Sequence, residues 1–162
     1  MVIPDSPPDD LESTTWAKRL ARGKFGEAEF DRQMRAVGYH PIEQTPMQRA
    51  DLDDRHFPDI IVRELPGVLW QVKDGRRSGM YDNVIAETAS ITSCRRAAEQ
   101  GWKVIVVWLM PDNVFNGNYV ESLVERGAIS DEAREHGSGT PGTKYAKNSL
   151  FTLSELLAKD SK

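Results

Sequence analysis

Three short stretches of the sequence carry side chains suited to binding a metal ion and hydrolysing a phosphate ester. Asp59 follows Pro58 at the start of a β-rich run, and Gln71 and Lys73 lie in the next β-rich run. Glu27 lies upstream, in a segment with helical periodicity. Carboxylate and amide oxygens are the ligands that Mg²⁺ prefers, and bound Mg²⁺ usually retains waters and takes up substrate phosphate oxygens. These residue types indicate metal-assisted phosphodiester hydrolysis.

Each of these residues has an expected role. Asp59 would bridge the metal, and the side-chain carbonyl of Gln71 and the backbone carbonyl of Val72 would add oxygen ligands. Glu27 would reach the metal directly or through water. Lys73 would neutralise charge on the phosphate or help to orient and deprotonate the attacking water. The sequence therefore predicts Mg²⁺ as the cofactor, with Mn²⁺ able to replace it.

A β-hairpin is expected to bring the site together. Two β-rich runs, residues 59–63 and 68–73, are separated by a Pro-Gly turn signal. Side chains two residues apart on a strand share a face, so Gln71 and Lys73 should project together. Because antiparallel pairing joins the strand ends away from the turn, both side chains should lie near Asp59.

Other elements complete the predicted fold. Helical spacing predicts a helix from about Gly26 to Val37, stopped by Gly38 and preceded by a separate helix that starts near Ser13. The elements predicted downstream are a helix over 82–100 with Asp82 as its N-cap and Gly101 as its stop, a strand over 103–109 covered on both faces, and a last helix preceded by the capping box Thr152 to Glu155. The order predicts an α/β domain with a small mixed central sheet flanked by helices.

Composition bounds the function classes. The net charge of −4 argues against a DNA partner until its location is considered, because residues 1–12 carry four acidic and no basic residues. The rest of the chain holds 21 acidic and 21 basic residues and is neutral. We expect residues 1–12 to be a disordered acidic lead-in and 13–162 to form one domain. No apolar run is long enough for a bilayer span.

Cysteine usage and the N-terminus favour a cytoplasmic location. Cys94 is the only cysteine, so an internal disulfide is excluded. The first ten residues, MVIPDSPPDD, lack the basic start and apolar stretch of a signal peptide. No phosphate-binding loop motif is present, so no nucleotide cofactor is expected.

The site residues in their order resemble the PD-(D/E)xK nuclease superfamily. The resemblance rests on Pro58-Asp59, the hairpin, Gln71-Val72-Lys73, the upstream helix with Glu27 and the apolar strand downstream. It covers about residues 24–110 and leaves 111–162 as a variable C-terminal part. Within the superfamily, the chain is most similar to archaeal-type Holliday-junction resolvases and phage replication-repair nucleases. The resemblance implies a restriction-endonuclease-like core of order αβββαβ.

Residue by residue, the resemblance also implies an activity. The helix glutamate of the family falls on Glu27, its motif aspartate on Asp59 and its lysine on Lys73, whereas its second acidic ligand falls on Gln71. The implied function is a divalent-metal-dependent DNA endonuclease, either selective for branched structures or site-specific in a phage or mobile element. The alternative is a catalytically weak or inactive DNA-binding or assembly subunit, because Gln71 removes one negative charge from the metal site.

DNA contacts and assembly complete the expectations. Arg76, Arg77, Arg95 and Arg96 follow the candidate site and are suited to contact phosphates, and Tyr81 beside them is suited to stack on a base. A solvated basic face explains the arginines nearly as well. Paired cuts in duplex or branched DNA call for two sites, so a homodimer or a higher homo-oligomer is expected.

Overall fold

The computed structural model describes residues 16–43, 58, 60–76, 83–133 and 142–160. The acidic segment 1–12, assigned above to a disordered lead-in, lies outside the described residues. None of the described helices is long and apolar enough to cross a membrane.

A six-stranded mixed sheet forms the centre of the structure. Its strands, in spatial order, are β1 Pro41–Glu43, β2 Ile60–Val62, β3 Leu65–Asp74, β5 Lys103–Met110, β6 Val114–Tyr119 and β9 Phe151–Thr152. β3 and β5 run parallel, and every other neighbouring pair in this sheet is antiparallel. The predicted fold class, an α/β domain with a small mixed sheet and flanking helices, is confirmed.

Helix α1, Trp16–Ala36, covers one face of this sheet. The prediction of two separate helices in this region is wrong, since the helix runs without a break through Gly23 and Gly26. Gly26 is buried where α1 crosses β3, and a Cβ there would lie 3.6 Å from the Val72 side chain. The predicted stop at Gly38 is confirmed, because the helix ends two residues before it.

The hairpin of β2 and β3 is confirmed, but its turn is not where the sequence signal placed it. Val62 pairs with Leu65, so the tight turn consists of Arg63 and Glu64. Pro66 and Gly67 instead form an irregularity inside β3, after which the pairing resumes. Gly67 has φ +87, a left-handed conformation that glycine adopts without steric cost. Pro66 and Gly67 therefore mark a bulge in β3 that follows the turn, and not the turn itself.

The turn is held by a polar cluster around Glu64. Its carboxylate accepts hydrogen bonds from the His40 backbone N–H at 2.7 Å and from the Arg63 side chain at 3.2 Å, and it contacts His40 Nδ1 at 2.7 Å. Partial burial raises the pKa of Glu64, but the hydrogen bonds from His40, the backbone and Arg63 outweigh it and lower that pKa to about 2. His40 is thus a structural residue.

A second, three-stranded sheet contains a strand where the sequence predicted the first part of a helix over 82–100. Its strands are β4 Asn83–Glu87, β7 Ala128–Ala133 and β8 Gly142–Ala146, in the order β4-β8-β7. Helix α2, Thr88–Glu99, begins only after β4, so the expected N-cap role of Asp82 is wrong. Val84 and Ala86 are fully buried, which is the alternation of a strand. The same apolar residues also fit a helical stripe, which explains the error.

Two hydrophobic clusters fill the space on the two faces of the large sheet. The cluster against α1 includes Phe30, Trp70 and Phe115, whose rings are in contact. The cluster against α2 includes Cys94 and Trp108. Strand β5 contributes to both clusters, so the predicted strand covered on both faces is confirmed.

Residues beyond 110 also build the main sheet. β6 pairs with β5 along its length, and β9 follows on the outer side of β6. The chain passes from β6 through a short helix α3, Val120–Ser122, and a wider helical turn, Leu123–Gly127. It ends in helix α4, Leu153–Asp160. The predicted capping box is confirmed, because the Thr152 backbone N–H donates to Glu155 at 3.0 Å and the Glu155 N–H donates to Thr152 Oγ1 at 3.2 Å.

Gly117 of β6 lies directly against the backbone of β5, and replacing it by alanine should be destabilising. A Cβ there would lie 2.0 Å from the carbonyl oxygen of Val106, which is closer than any real contact. We expect Gly117→Ala to lower the free energy of unfolding by about 1–3 kcal/mol or more, because the strands must separate to admit the methyl group.

The matched control for Gly117→Ala is Gly23→Ala. Gly23 is exposed on α1, and a Cβ there would meet nothing within 4 Å. This change should stabilise the protein by about 1 kcal/mol, since alanine favours helices over glycine. Urea unfolding of both variants would measure the difference, and equal shifts in the two would contradict the strand contact at Gly117.

Candidate functional site

Lys73 lies near the end of β3 and points towards helix α2. Its Nζ donates a hydrogen bond to Ser90 Oγ at 2.8 Å, and Ser90 is almost fully buried in the first turn of α2. Along β3, Leu69 belongs to the cluster on the α2 face, whereas Trp70 and Val72 pack on the α1 face. By this alternation Gln71 shares the α2 face with Lys73, as the sequence predicted.

Groups on three elements influence the pKa of Lys73. Burial lowers the pKa of Lys73, and Glu87, Cys94 and Glu27 act in the opposite direction. Glu87 ends β4, Cys94 lies on α2 and Glu27 lies on α1. The structure thus brings two carboxylates within electrostatic range of one lysine.

Glu27 lies on α1 where this helix crosses β3 at Val72. The preceding residue, Gly26, lies against the Val72 side chain, so the backbone of α1 approaches the strand closely at this point. Glu27 is half-buried. Glu27 is thus on the α1 face of the sheet and within electrostatic range of Lys73, and its role as a metal ligand stays a prediction.

Asp59, the expected bridging ligand, lies outside the described residues. Its sequence neighbours Pro58 and Ile60 are described, and both are buried. Ile60 pairs with Trp70, the residue before Gln71. No group of three His, Cys, Asp or Glu side chains suited to a metal occurs within the ranges that the structure describes. The part of the site that can be described therefore consists of Glu27, Gln71, the Val72 carbonyl, Lys73 and Glu87.

Two residues of this site were not identified from the sequence. From the sequence, Ser90 has no predicted role, and Glu87 falls in the helix predicted over 82–100, where a surface position is favoured over one behind the metal ligands. The available signal was the spacing of Ser90 and Cys94, which lie four residues apart and share the buried face of α2. Reading that spacing required knowledge of where α2 begins.

Arg76 does not have the exposure that the predicted phosphate contact requires. Its guanidinium is buried, with only 5% of the side chain exposed, and it donates two hydrogen bonds of 2.9 Å to the carboxylate of Asp74. It also lies over the ring of Phe25, 4.9 Å from the ring centre. Arg76 therefore fastens the end of β3 to α1 and is not presented to DNA.

The other predicted DNA contacts fall into two groups. Arg95 and Arg96 are exposed on α2, which is compatible with a phosphate contact and does not test it. Arg77 and Tyr81 lie outside the described residues. The proposed basic surface is thus reduced to the two arginines on α2.

The solved structures that share this fold include two nucleases. Hjc, a Holliday junction resolvase from the archaeal hyperthermophile Archaeoglobus fulgidus, matches with a TM-score of 0.55 at 12% identity over 85% of this chain and 96% of Hjc. D212, a nuclease from a fusellovirus, matches with a TM-score of 0.54 at 10% identity over 90% of this chain and 92% of D212. Neither a protein-family model nor a curated protein matches the sequence. The likeness establishes a shared fold.

Proposed function

We propose, from the PD-(D/E)xK nuclease fold that this chain has, that the protein is a divalent-metal-dependent DNA endonuclease. The observation that carries the proposal is the placement of Lys73. It lies on the same face of β3 as Gln71, it is hydrogen-bonded to Ser90, and it lies within electrostatic range of Glu27. A fold alone does not establish an activity, so the proposal rests on this group of side chains.

The donor atoms fit a hard divalent cation. The Gln71 side chain, the Val72 carbonyl and Glu27 offer oxygen atoms, which suit Mg²⁺ or Mn²⁺. The described part of β2 begins at Ile60, which pairs with Trp70. Gln71, the next residue of β3, therefore lies beyond the described residues of β2. Asp59 would complete the set as the next residue before Ile60. When bound, the cation would polarise the phosphate and lower the pKa of a bound water.

The protein's own groups would do the rest of the chemistry. Lys73, held by Ser90, would place its ammonium against the non-bridging oxygens of the phosphate and offset their charge as it develops. Burial strengthens this interaction because the local dielectric is low. Asp59 would orient the attacking water.

A cleavage assay tests the proposed activity. Supercoiled, linear and branched DNA would each be incubated with Mg²⁺ or Mn²⁺, comparing the wild type with Asp59→Ala. We expect divalent-dependent cleavage of at least one substrate by the wild type and a loss of about 100-fold or more in the variant. Asp31→Ala is the matched control, because Asp31 forms a solvent-exposed pair with Arg35 on α1, one helical turn beyond Glu27. An inert wild type, or full activity of Asp59→Ala, would refute the assignment.

A second candidate function is favoured by Gln71 itself. A neutral amide in place of a carboxylate weakens cation binding, so a DNA-binding or assembly subunit that has lost cleavage is the alternative. Gln71→Glu separates the two functions. Cleavage gained by this variant from an inactive parent would support the alternative, and cleavage by the parent would support the endonuclease.

The substrate and assembly follow from the same proposal. Hjc is described as a Holliday junction resolvase, and we propose branched DNA as the first substrate to be tried. Two symmetric cuts require two sites, so the active form would be a homodimer or a higher homo-oligomer.

A further inference from the structure

The first turn of helix α2 is joined to Lys73 by a side-chain contact. Lys73 Nζ donates a hydrogen bond of 2.8 Å to Ser90 Oγ, and Ser90 is almost fully buried. A lysine amine sits on a long flexible stem and samples many positions unless a contact fixes it. The position of Lys73 Nζ therefore depends on where the turn that carries Ser90 lies.

The small sheet, formed by β4, β8 and β7, leads directly into this turn. β4 ends at Glu87, and α2 begins at Thr88. Thr88 Oγ1 lies 2.9 Å from Thr143 Oγ1 of β8, and Thr143 is buried. The hydroxyl of Thr143 therefore fixes the first residue of α2, two positions before Ser90.

The small sheet is in turn fastened to the strand position that carries Lys73. Lys73 on β3 pairs with Trp108 on β5, and Trp108 is fully buried. The indole N–H of Trp108 donates a hydrogen bond of 3.0 Å to the carbonyl of Ile85 in β4. Lys73 is thus connected to Ser90 directly and also through Trp108 and β4. A displacement of α2 relative to β3 would break these hydrogen bonds.

We propose that the small sheet positions Lys73 for DNA cleavage, with Ser90 as the contact to Lys73 and Thr143 as the contact that fixes the turn carrying Ser90. The inference rests on the proposed endonuclease function and gives a role to a strand beyond residue 110, where the nuclease resemblance ends. Misplacing a group by about 1 Å can lower a rate about 100-fold, so the rate depends on where Lys73 Nζ is held. Ser90 and Thr143 act through Lys73 and are positioning residues.

The test is single-turnover cleavage with Mg²⁺ in excess, with DNA affinity measured separately by titration without divalent metal. Ser90→Ala should lower the maximal rate about tenfold to 100-fold and leave DNA affinity unchanged, because the amine of Lys73 loses its fixed contact. Thr143→Val should also lower the rate, whereas Thr143→Ser keeps the hydroxyl and should keep the wild-type rate. Ser93→Ala is the matched control, since Ser93 is another buried serine of α2, and it should cleave like the wild type.

A double variant distinguishes positioning from a general loss of structure. If Thr143 acts through Ser90, Ser90→Ala combined with Thr143→Val should be about as slow as Ser90→Ala alone, since residues that act as a unit are not additive. Losses that multiply, or full activity of folded Thr143→Val, would overturn the route through Thr143.

The outcomes separate this inference from the proposed function. If the wild type cleaves DNA and folded Ser90→Ala cleaves it equally fast, the positioning role is refuted and the endonuclease proposal stands. Equal losses in Ser90→Ala and Ser93→Ala refute the positioning role as well. A wild type that cleaves no DNA with Mg²⁺ or Mn²⁺ refutes both.

Melting temperatures would show which variants fold. Should Thr143→Val fail to fold, Thr88→Val removes the same contact from the side of α2. Should Ser90→Ala fail to fold, Ser90→Cys takes its place, because a thiol is only a weak acceptor, and the same loss of rate is expected.

Discussion

Replacing Lys73 by alanine is expected to lower the rate of divalent-dependent DNA cleavage by about 100- to 10,000-fold, the range found for a positioned proton-transfer or charge-stabilising group. The ammonium of Lys73 is held by Ser90 and lies among three elements of the site. Alanine removes this charge and leaves no other group on β3 to replace it. Single-turnover cleavage with Mg²⁺ in excess would measure the loss.

A lysine at the other end of the same strand pair controls for the loss of a positive charge. Lys103 is exposed at the start of β5 and pairs with Val68, five residues before Lys73 on β3. Lys103→Ala should cleave at the wild-type rate. Thermal unfolding should show that both variants are folded. Cleavage by folded Lys73→Ala at the wild-type rate would exclude Lys73 from the chemistry.

Replacing Arg76 by alanine is expected to lower the free energy of unfolding by about 3 kcal/mol, because it leaves a poorly exposed Asp74 carboxylate without its guanidinium partner. The contact of the guanidinium with the ring of Phe25 is lost as well. The affinity of the folded variant for DNA should be unchanged. Urea unfolding and DNA titration on the same samples would measure both quantities.

Arg95→Ala is the control with the opposite expectation. Arg95 is exposed on α2, so its removal should change the free energy of unfolding by no more than about 0.5 kcal/mol. If Arg95 contacts one phosphate, the slope of log K for DNA binding against log salt concentration should become shallower by about one in the variant. If the Arg76→Ala variant is as stable as the wild type and binds DNA weakly, Arg76 contacts a DNA phosphate, as the sequence predicted.

Much of the fold could be predicted because its signals are local. The hairpin, the buried strand β5, the helix stop at Gly38 and the capping box at Thr152 each depend on residues close together in the chain. The face shared by Gln71 and Lys73 follows from the alternation of a strand. For the site, these local patterns were sufficient to place two of its side chains together.

The errors arose where the partner is distant in sequence. The segment Asn83–Glu87 has apolar residues that fit a helix or a strand, and it becomes β4 because β8 pairs with it along its whole length. The Pro-Gly signal was genuine, but the pairing of Val62 with Leu65 moved the turn upstream of it. In both cases, cross-strand pairing decided between two structures that the local sequence permits.

At the candidate site too, local signals predicted some residues, and contacts distant in sequence decided the others. By itself, the sequence determined which residues have the right chemistry, because residue type and the period of strand β3 specify Gln71 and Lys73, and helix periodicity specifies Glu27. Only the tertiary structure decided that Arg76 is buried against Asp74 and that Ser90 lies beside Lys73. Burial and the approach of α2 to β3 depend on contacts between segments far apart in the chain, and the local periodicity of the sequence does not contain that information.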